Sequence, residues 1–170
     1  PDVRDPFFVP HLGGRMSPSQ PQLRGSWAGL TWSHTAGHLY RAVLESVALE
    51  YCIYRDVLQS VNAELCIREV RITGGGENSA LWNQIKADAL GVPVVQIDRG
   101  GGAPLGVALL AGYGAGLFRT LESAAARWIH RGKVFRPNRQ LAAHYQSRLT
   151  GYRRLLDCLH QWAATESEIP

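Results

Sequence analysis

The residues best suited to chemistry lie in the run Thr73-Gly74-Gly75-Gly76-Glu77-Asn78-Ser79. It follows Glu69-Val70-Arg71-Ile72, an alternating charged and apolar segment, and precedes a helical pattern in which Leu81, Ile85 and Ala89 recur every four residues. A strand-to-helix turn of this kind leaves backbone N–H groups beside the positive end of a helix dipole, which favours an anion or a nucleotide. Glycine suits the turn because a missing Cβ lets a ligand lie flat against the backbone. No Gly-Lys-Ser/Thr follows, so this is not a Walker P-loop. Gly74-x-Gly76-x-x-Ser79 partly mimics a dinucleotide fingerprint, and Asp98 stands 24 residues beyond Gly74, where a ribose-binding acid would be. Serine replaces the third glycine, however, and a tight turn with no ligand satisfies the same spacing.

Other chemically able residues form no comparable set. His34 and His38 share a helix face at i, i+4, a spacing open to a metal, but His34-Thr35-Ala36-Gly37-His38 lacks the glutamate of a zinc-protease helix and reads as an ordinary helix start. Glu45, Asp88 and Asp98 are lone acids, of which Asp98 reads as a turn cap at a strand's carboxyl end. Cys52, Cys66 and Cys158 are odd in number and lack a C-x-x-C pair, which suits a reduced, cytoplasmic setting.

These residues must be positioned by regular elements. Residues 1–33 are rich in proline and glycine and should be irregular apart from a short strand near Ser26–Trp32. From Ser33 the period changes: Tyr40, Val43, Leu44, Val47, Tyr51, Tyr54 and Leu58 fall on one stripe of a helix of about 26 residues, with Ser33 or Thr35 as N-cap. A strand at Val70–Ile72 leads through the glycines to a helix from Ser79 to Leu90, closed by Gly91. Val92–Ile97 then reads as a buried strand, the glycine-rich 98–103 as a loop, and Pro104 as the first turn of a third helix ending near Gly114. A short helix at Leu121–Trp128, a loop at Gly132–Pro137 and a last helix from Asn138 to Ala163 complete the pattern. The β, α, β, α order predicts a parallel α/β sheet. The organisation is a lead-in at 1–33, an α/β core at 34–116 and C-terminal helices at 117–170.

The chain has 170 residues and a formal charge of +4, which fits one domain of ordinary size. Its basic character is local. Eight Lys and Arg and no acid lie between Arg127 and Leu156, so the remainder is mildly acidic. No aromatic residues interleave these arginines as a single-strand stacking platform requires, so nucleic acid is not an expected partner. No apolar run approaches the roughly 20 residues of a membrane span, and the N-terminal residues do not read as a signal peptide. The only methionine is Met16, inside a loop pattern, so the chain reads as an excerpt of something longer.

From Pro10 to about Trp162 the sequence resembles the C-terminal domain of the FGGY carbohydrate kinases, and most of all the xylulose-phosphorylating branch. The resemblance rests on P-H-L-G-G-R-M-S-P at 10–18, G-L-T-W-S-H at 29–34, L-Y-R-A-V-L-E-S-V-A at 39–48, T-G-G-G-E-N-S-A-L-W-N-Q-I-K-A-D-A-L-G-V-P-V at 73–94 and P-L-G-V-A-L-L-A-G at 104–112, with Tyr145, Tyr152 and Arg153 following. It implies an actin-like, ribonuclease H-like ATPase fold, here one C-terminal lobe lacking its first strands. It further implies ATP and Mg²⁺ as cofactors, with Gly74, Gly75 and Gly76 against the adenine and Ser79 near the base edge. Pro104, Leu105 and Gly106 would pack beside the nucleotide pocket and an interdomain hinge. The implied partners are an N-terminal lobe, which in the family carries the catalytic aspartate and most of the sugar pocket, and a ketopentose such as xylulose; a homodimer stays open. No catalytic residue is expected in this chain, which by itself should phosphorylate nothing. A kinase-like binding module without catalysis and a dinucleotide-binding oxidoreductase fragment are the alternatives. One departure stands out: Gly14 is followed by Arg15-Met16, where the family commonly has Glu-Arg.

Overall fold

A computed structural model describes residues 2, 4–98 and 102–166. The chain divides into two compact units, one of Pro1–Cys66, Asp88–Gly91 and Asn138–Pro170, the other of Ile67–Ala87 and Val92–Pro137. In order, the elements are β1 (Phe7–Val9), β2 (Ser26–Ala28), α1 (Ala36–Val61), β3 (Val70–Ile72), a 3₁₀ turn (Gly75–Asn78), α2 (Ala80–Leu90), β4 (Val94–Asp98), α3 (Gly102–Gly114), α4 (Leu121–Trp128), β5 (His130–Phe135), a second 3₁₀ turn (Arg139–Leu141) and α5 (Ala142–Glu166).

In the first unit, the lead-in holds two strands where one was expected. β1 pairs antiparallel with β2, setting Phe8 opposite Trp27 with their rings 4.6 Å apart. Helix α1 has the expected length but not the expected buried stripe. Tyr40, Tyr51 and Leu58 are exposed, while Ala42, Glu45, Leu49 and Cys52 turn inward at three- and four-residue steps. The buried face is one-sided in shape but mixed in polarity, so an apolar count misplaces it. Helix α5 supplies a facing stripe of Tyr145, Leu149, Tyr152 and Leu156.

Two carboxylates on α1 are sealed inside this unit, and each is fully engaged. Glu45, only 1 % exposed, accepts from Arg148 Nη2 at 3.1 Å, from Arg41 Nε at 2.8 Å and from the Tyr145 hydroxyl at 3.4 Å. Glu50 accepts from Arg15 Nη2 at 3.0 Å and the Tyr152 hydroxyl at 2.9 Å, and meets His11 Nε2 at 3.1 Å. Arg148 also donates to the carbonyls of Asp5 and Pro6 and stacks over the Phe7 ring. Burial, and then the nearby carboxylate, hold both phenols, Tyr145 and Tyr152, above their ordinary pKa range. Glu45 and Glu50 are thus structural, as is Asp88, which accepts from the Asn138 backbone N–H at 2.8 Å.

The second unit is built on a three-stranded sheet in the order β3-β4-β5. β3 and β4 run parallel, with Val70 opposite Val94 and Ile72 opposite Gln96, as the β, α, β pattern predicts. Ala87, Val94 and Phe135 form its core, with Val70 and Ile72 packed against them. The loop expected at Gly132–Pro137 is instead mostly the strand β5, antiparallel to β4, so the sheet is mixed. Gly132 misleads in the sequence because it marks a close approach: a Cβ there would lie 3.1 Å from the Gln96 carbonyl oxygen, at the irregularity between Val95 and Ile97. The charges of Arg131 and Lys133 suit an edge strand. Among the described residues, no helix is long and apolar enough to cross a membrane.

Two measurements test this account. Replacing Arg148 by Met leaves the Glu45 carboxylate buried without its principal cation, and should lower the urea-unfolding free energy by about 3–5 kcal/mol. Burial pushes the Cys52 thiol up to about 11, and the thiol donates to the Ala89 carbonyl at 3.3 Å, whereas Cys66 and Cys158 are exposed. Thiol titration at pH 8 should therefore read two reactive groups in the native protein and three after denaturation; three in the native state would contradict the burial.

Candidate functional site

The glycine turn sits at the carboxyl end of β3, beside a parallel neighbour, where ligands of open α/β sheets are bound. Its three glycines have three different roles. Gly74 has φ +93° and ψ −175°, a conformation that side chains other than hydrogen rarely tolerate. Gly76 makes room for an indole, since a Cβ there would lie 2.8 Å from the Trp82 ring. Gly75 has neither constraint: among the described residues, no atom lies within 4 Å of where its Cβ would be. No described residue requires its missing Cβ, and it presents exposed backbone to whatever approaches.

The turn is held from below by α2. Asn83 is fully buried and donates its amide to the Glu77 carbonyl at 2.7 Å, which pins the 3₁₀ segment to the helix. Ser79 caps α2, its Oγ accepting from the Trp82 backbone N–H at 3.2 Å, so the hydroxyl proton is left to donate elsewhere. Trp82 carries the Lys86 ammonium on its face at 3.9 Å, and burial draws that lysine's pKa down. Glu77 Oε2 and Asn83 Oδ1 are buried acceptors with no donor among the described residues. Sequence reasoning named the glycines and Ser79 as candidates but not Asn83 or Trp82, whose places depend on which way the helix faces.

The geometry separates the turn from a dinucleotide fingerprint. There the glycines open the helix itself, whereas here a 3₁₀ turn and an extended Ser79 intervene before α2 begins at Ala80. Asp98 ends β4, opposite His130 in the register. At the start of α3, Gly102 approaches Gly74, the Cβ position of the former lying 4.0 Å from the Cα of the latter. The loop residues 99–101, part of the glycine-rich stretch expected at 98–103, lie outside the described residues.

The histidine pair resolves as a helix start. His38 Nδ1 accepts from the Thr35 N–H at 3.1 Å in the capping box of α1, while His34, before the helix, accepts at Nδ1 from the Thr31 N–H at 3.0 Å in the preceding turn. Among the described residues, no group of three or more His, Cys, Asp or Glu could hold a metal ion. Arg15 is spent inside the first unit on Glu50, and Met16 is 93 % exposed.

The profile of the C-terminal domain of the FGGY family of carbohydrate kinases matches residues 1–115. The chain belongs to this family. A xylulose kinase of Staphylococcus epidermidis is 32 % identical over 135 residues, covering 79 % of this chain and 27 % of that protein. A glycerol kinase of Citrifermentans bemidjiense is 39 % identical over 129 residues, covering 75 % and 26 % respectively. The crystal structure of xylulose kinase from Rhodospirillum rubrum superposes with a TM-score of 0.78 at 28 % identity, covering 95 % of this chain and 32 % of that one. The fold is therefore the α/β, actin-like ATPase fold of FGGY kinases, seen in their C-terminal part. The chain spans about a quarter to a third of the length of these relatives.

The division among the glycines is directly measurable. Gly74→Ala and Gly76→Ala should each cost about 1–3 kcal/mol, through backbone strain and through overpacking on Trp82 respectively. Gly75→Ala should leave stability unchanged within about 0.5 kcal/mol. Calorimetry on the three variants checks the pattern.

Proposed function

We propose that this FGGY-family chain supplies the adenosine-binding part of an ATP-dependent sugar kinase, which transfers the γ-phosphoryl group of ATP to a hydroxyl of a sugar, in our reading a ketopentose such as xylulose. The observation that carries the reading is Gly75, at the carboxyl end of a parallel strand, whose missing Cβ no described residue requires. A purine laid on that backbone meets no Cβ at Gly74, Gly75 or Gly76. Ser79 keeps its helix cap while its hydroxyl proton points a donor at a ring nitrogen of the base.

Mg²⁺ would arrive on the phosphates and neutralise the charge that develops on the transferred group. This chain's own residues bind and orient the nucleoside. Its buried acids Glu45, Glu50 and Asp88 are tied into the fold, which is why we assign no proton transfer to them. The aspartate that takes the sugar's proton, like most of the sugar pocket, belongs in this reading to an N-terminal lobe. The xylulose kinase of S. epidermidis supports the ketopentose, and the glycerol kinase match keeps the coarser description, a sugar or polyol hydroxyl, as the common ground.

Calorimetric titration with ATP and a coupled assay test the proposal. The purified 170-residue chain should bind ATP in preference to NAD and phosphorylate no sugar. Gly75→Val should weaken ATP at least about tenfold while leaving the melting temperature in place, because the lost contact is with ligand and not with protein. Preference for NAD, or sugar turnover by this chain, would refute the reading.

A further inference from the structure

Lys86 is a cation to which the proposed reaction gives no task. It is only 4 % exposed, on the helix that begins at the glycine turn. An ammonium group held out of water loses hydration that the protein must replace, and burial draws its pKa down. The structure gives it an aromatic face. Lys86 Nζ stands 3.9 Å from the centre of the ring of Trp82, one helical turn earlier on α2. A cation over an indole is held most strongly where water is excluded. The same indole is a wall of the turn. The atoms nearest to a Cβ at Gly76 would be Cζ3, Cε3 and Cη2 of Trp82, at 2.8, 3.3 and 3.6 Å, so the six-membered ring backs that glycine. The Trp82 backbone N–H is donated to Ser79 Oγ at 3.2 Å. Trp82 therefore touches both Gly76 and Ser79, and Lys86 touches Trp82. All four residues lie in the second unit.

We propose, resting on the assignment of ATP to this turn, that Lys86 is a positioning residue for the nucleotide: its ammonium fixes the Trp82 indole, the indole holds Gly76 in place, and the order of the turn sets ATP affinity. Lys86 acts through the ring and makes no contact with the reacting groups. Its effect depends on charge and not on bulk. Methionine has nearly the length of lysine and packs well against an indole, but brings no charge to the ring's quadrupole. Arginine is larger, keeps the charge and stacks on aromatic faces. A side chain that merely filled space would be replaced better by methionine than by arginine, whereas a cation that fixes the ring is replaced better by arginine.

Two readouts test this, one with nucleotide and one without. ATP is titrated calorimetrically into the purified protein, and amide hydrogen exchange is followed by mass spectrometry over residues 73–79, with the protection of α1 and α5 as the control for folding. Lys86→Met should weaken ATP about fivefold and speed exchange of the turn by a similar factor, the ratio that a cation–π contact of ordinary strength implies. Lys86→Arg should keep both within about twofold of the unaltered protein. In a Trp82→Leu background, Lys86→Met should change neither readout further, because the ring through which it acts is gone. Turn exchange untouched by Lys86→Met, arginine no better than methionine, or a full effect of Lys86→Met in the Trp82→Leu protein would overturn the proposal. Absence of ATP binding by the unaltered protein would instead refute the nucleotide assignment, and the exchange readout would still decide whether Lys86 orders the turn.

Discussion

Two carboxylates buried on one helix govern the first unit. Removing a charge from water is tolerated only when cations and donors replace the lost hydration, and a partly satisfied pair is worse than none. Glu45 finds its cation on α5 and Glu50 finds its cation in the lead-in, so α1 is stitched to segments far away in sequence. The lead-in between β1 and β2, rich in proline and glycine, has little regular structure of its own. It is held instead by Arg15, and its start by Arg148 reaching the carbonyls of Asp5 and Pro6. Burying these charges does not make the unit more stable than an apolar core would, but it makes its arrangement specific.

The second unit divides its labour differently. Parallel pairing of β3 with β4 delivers the glycine turn and the start of α3 to the same end of the sheet. Within the turn, conformational demand, packing demand and open space fall on three successive residues, so that a single motif does both folding and exposure. Asn83 and Trp82 supply the rigidity from α2, which lets a bare backbone stay in place without side chains of its own.

The sequence was informative where local rules decide the outcome. Strand β3, the glycine turn, α2 and β4 follow from period, turn chemistry and the Gly91 stop, and the family was legible in the run from Thr73 to Val94. It was misleading where distant partners decide. The buried side of α1 is set by arginines and tyrosines from elsewhere, so Tyr40 and Tyr51 looked internal and Glu45 did not. β5 was missed because Gly132 and a run of basic residues have the composition of a loop, and only the open edge of β4 makes a strand of them. His34 and His38 show a further limit: the same spacing serves a metal or a turn followed by a helix cap, and the choice lies in which groups the ring nitrogens meet.

The ion pair between Arg15 and Glu50 has an evolutionary corollary. An acid at position 15, set against Glu50, would bury two like charges side by side. The two positions, 35 apart in the chain, are therefore expected to be inherited as one character, an acid at the first requiring a neutral or basic residue at the second.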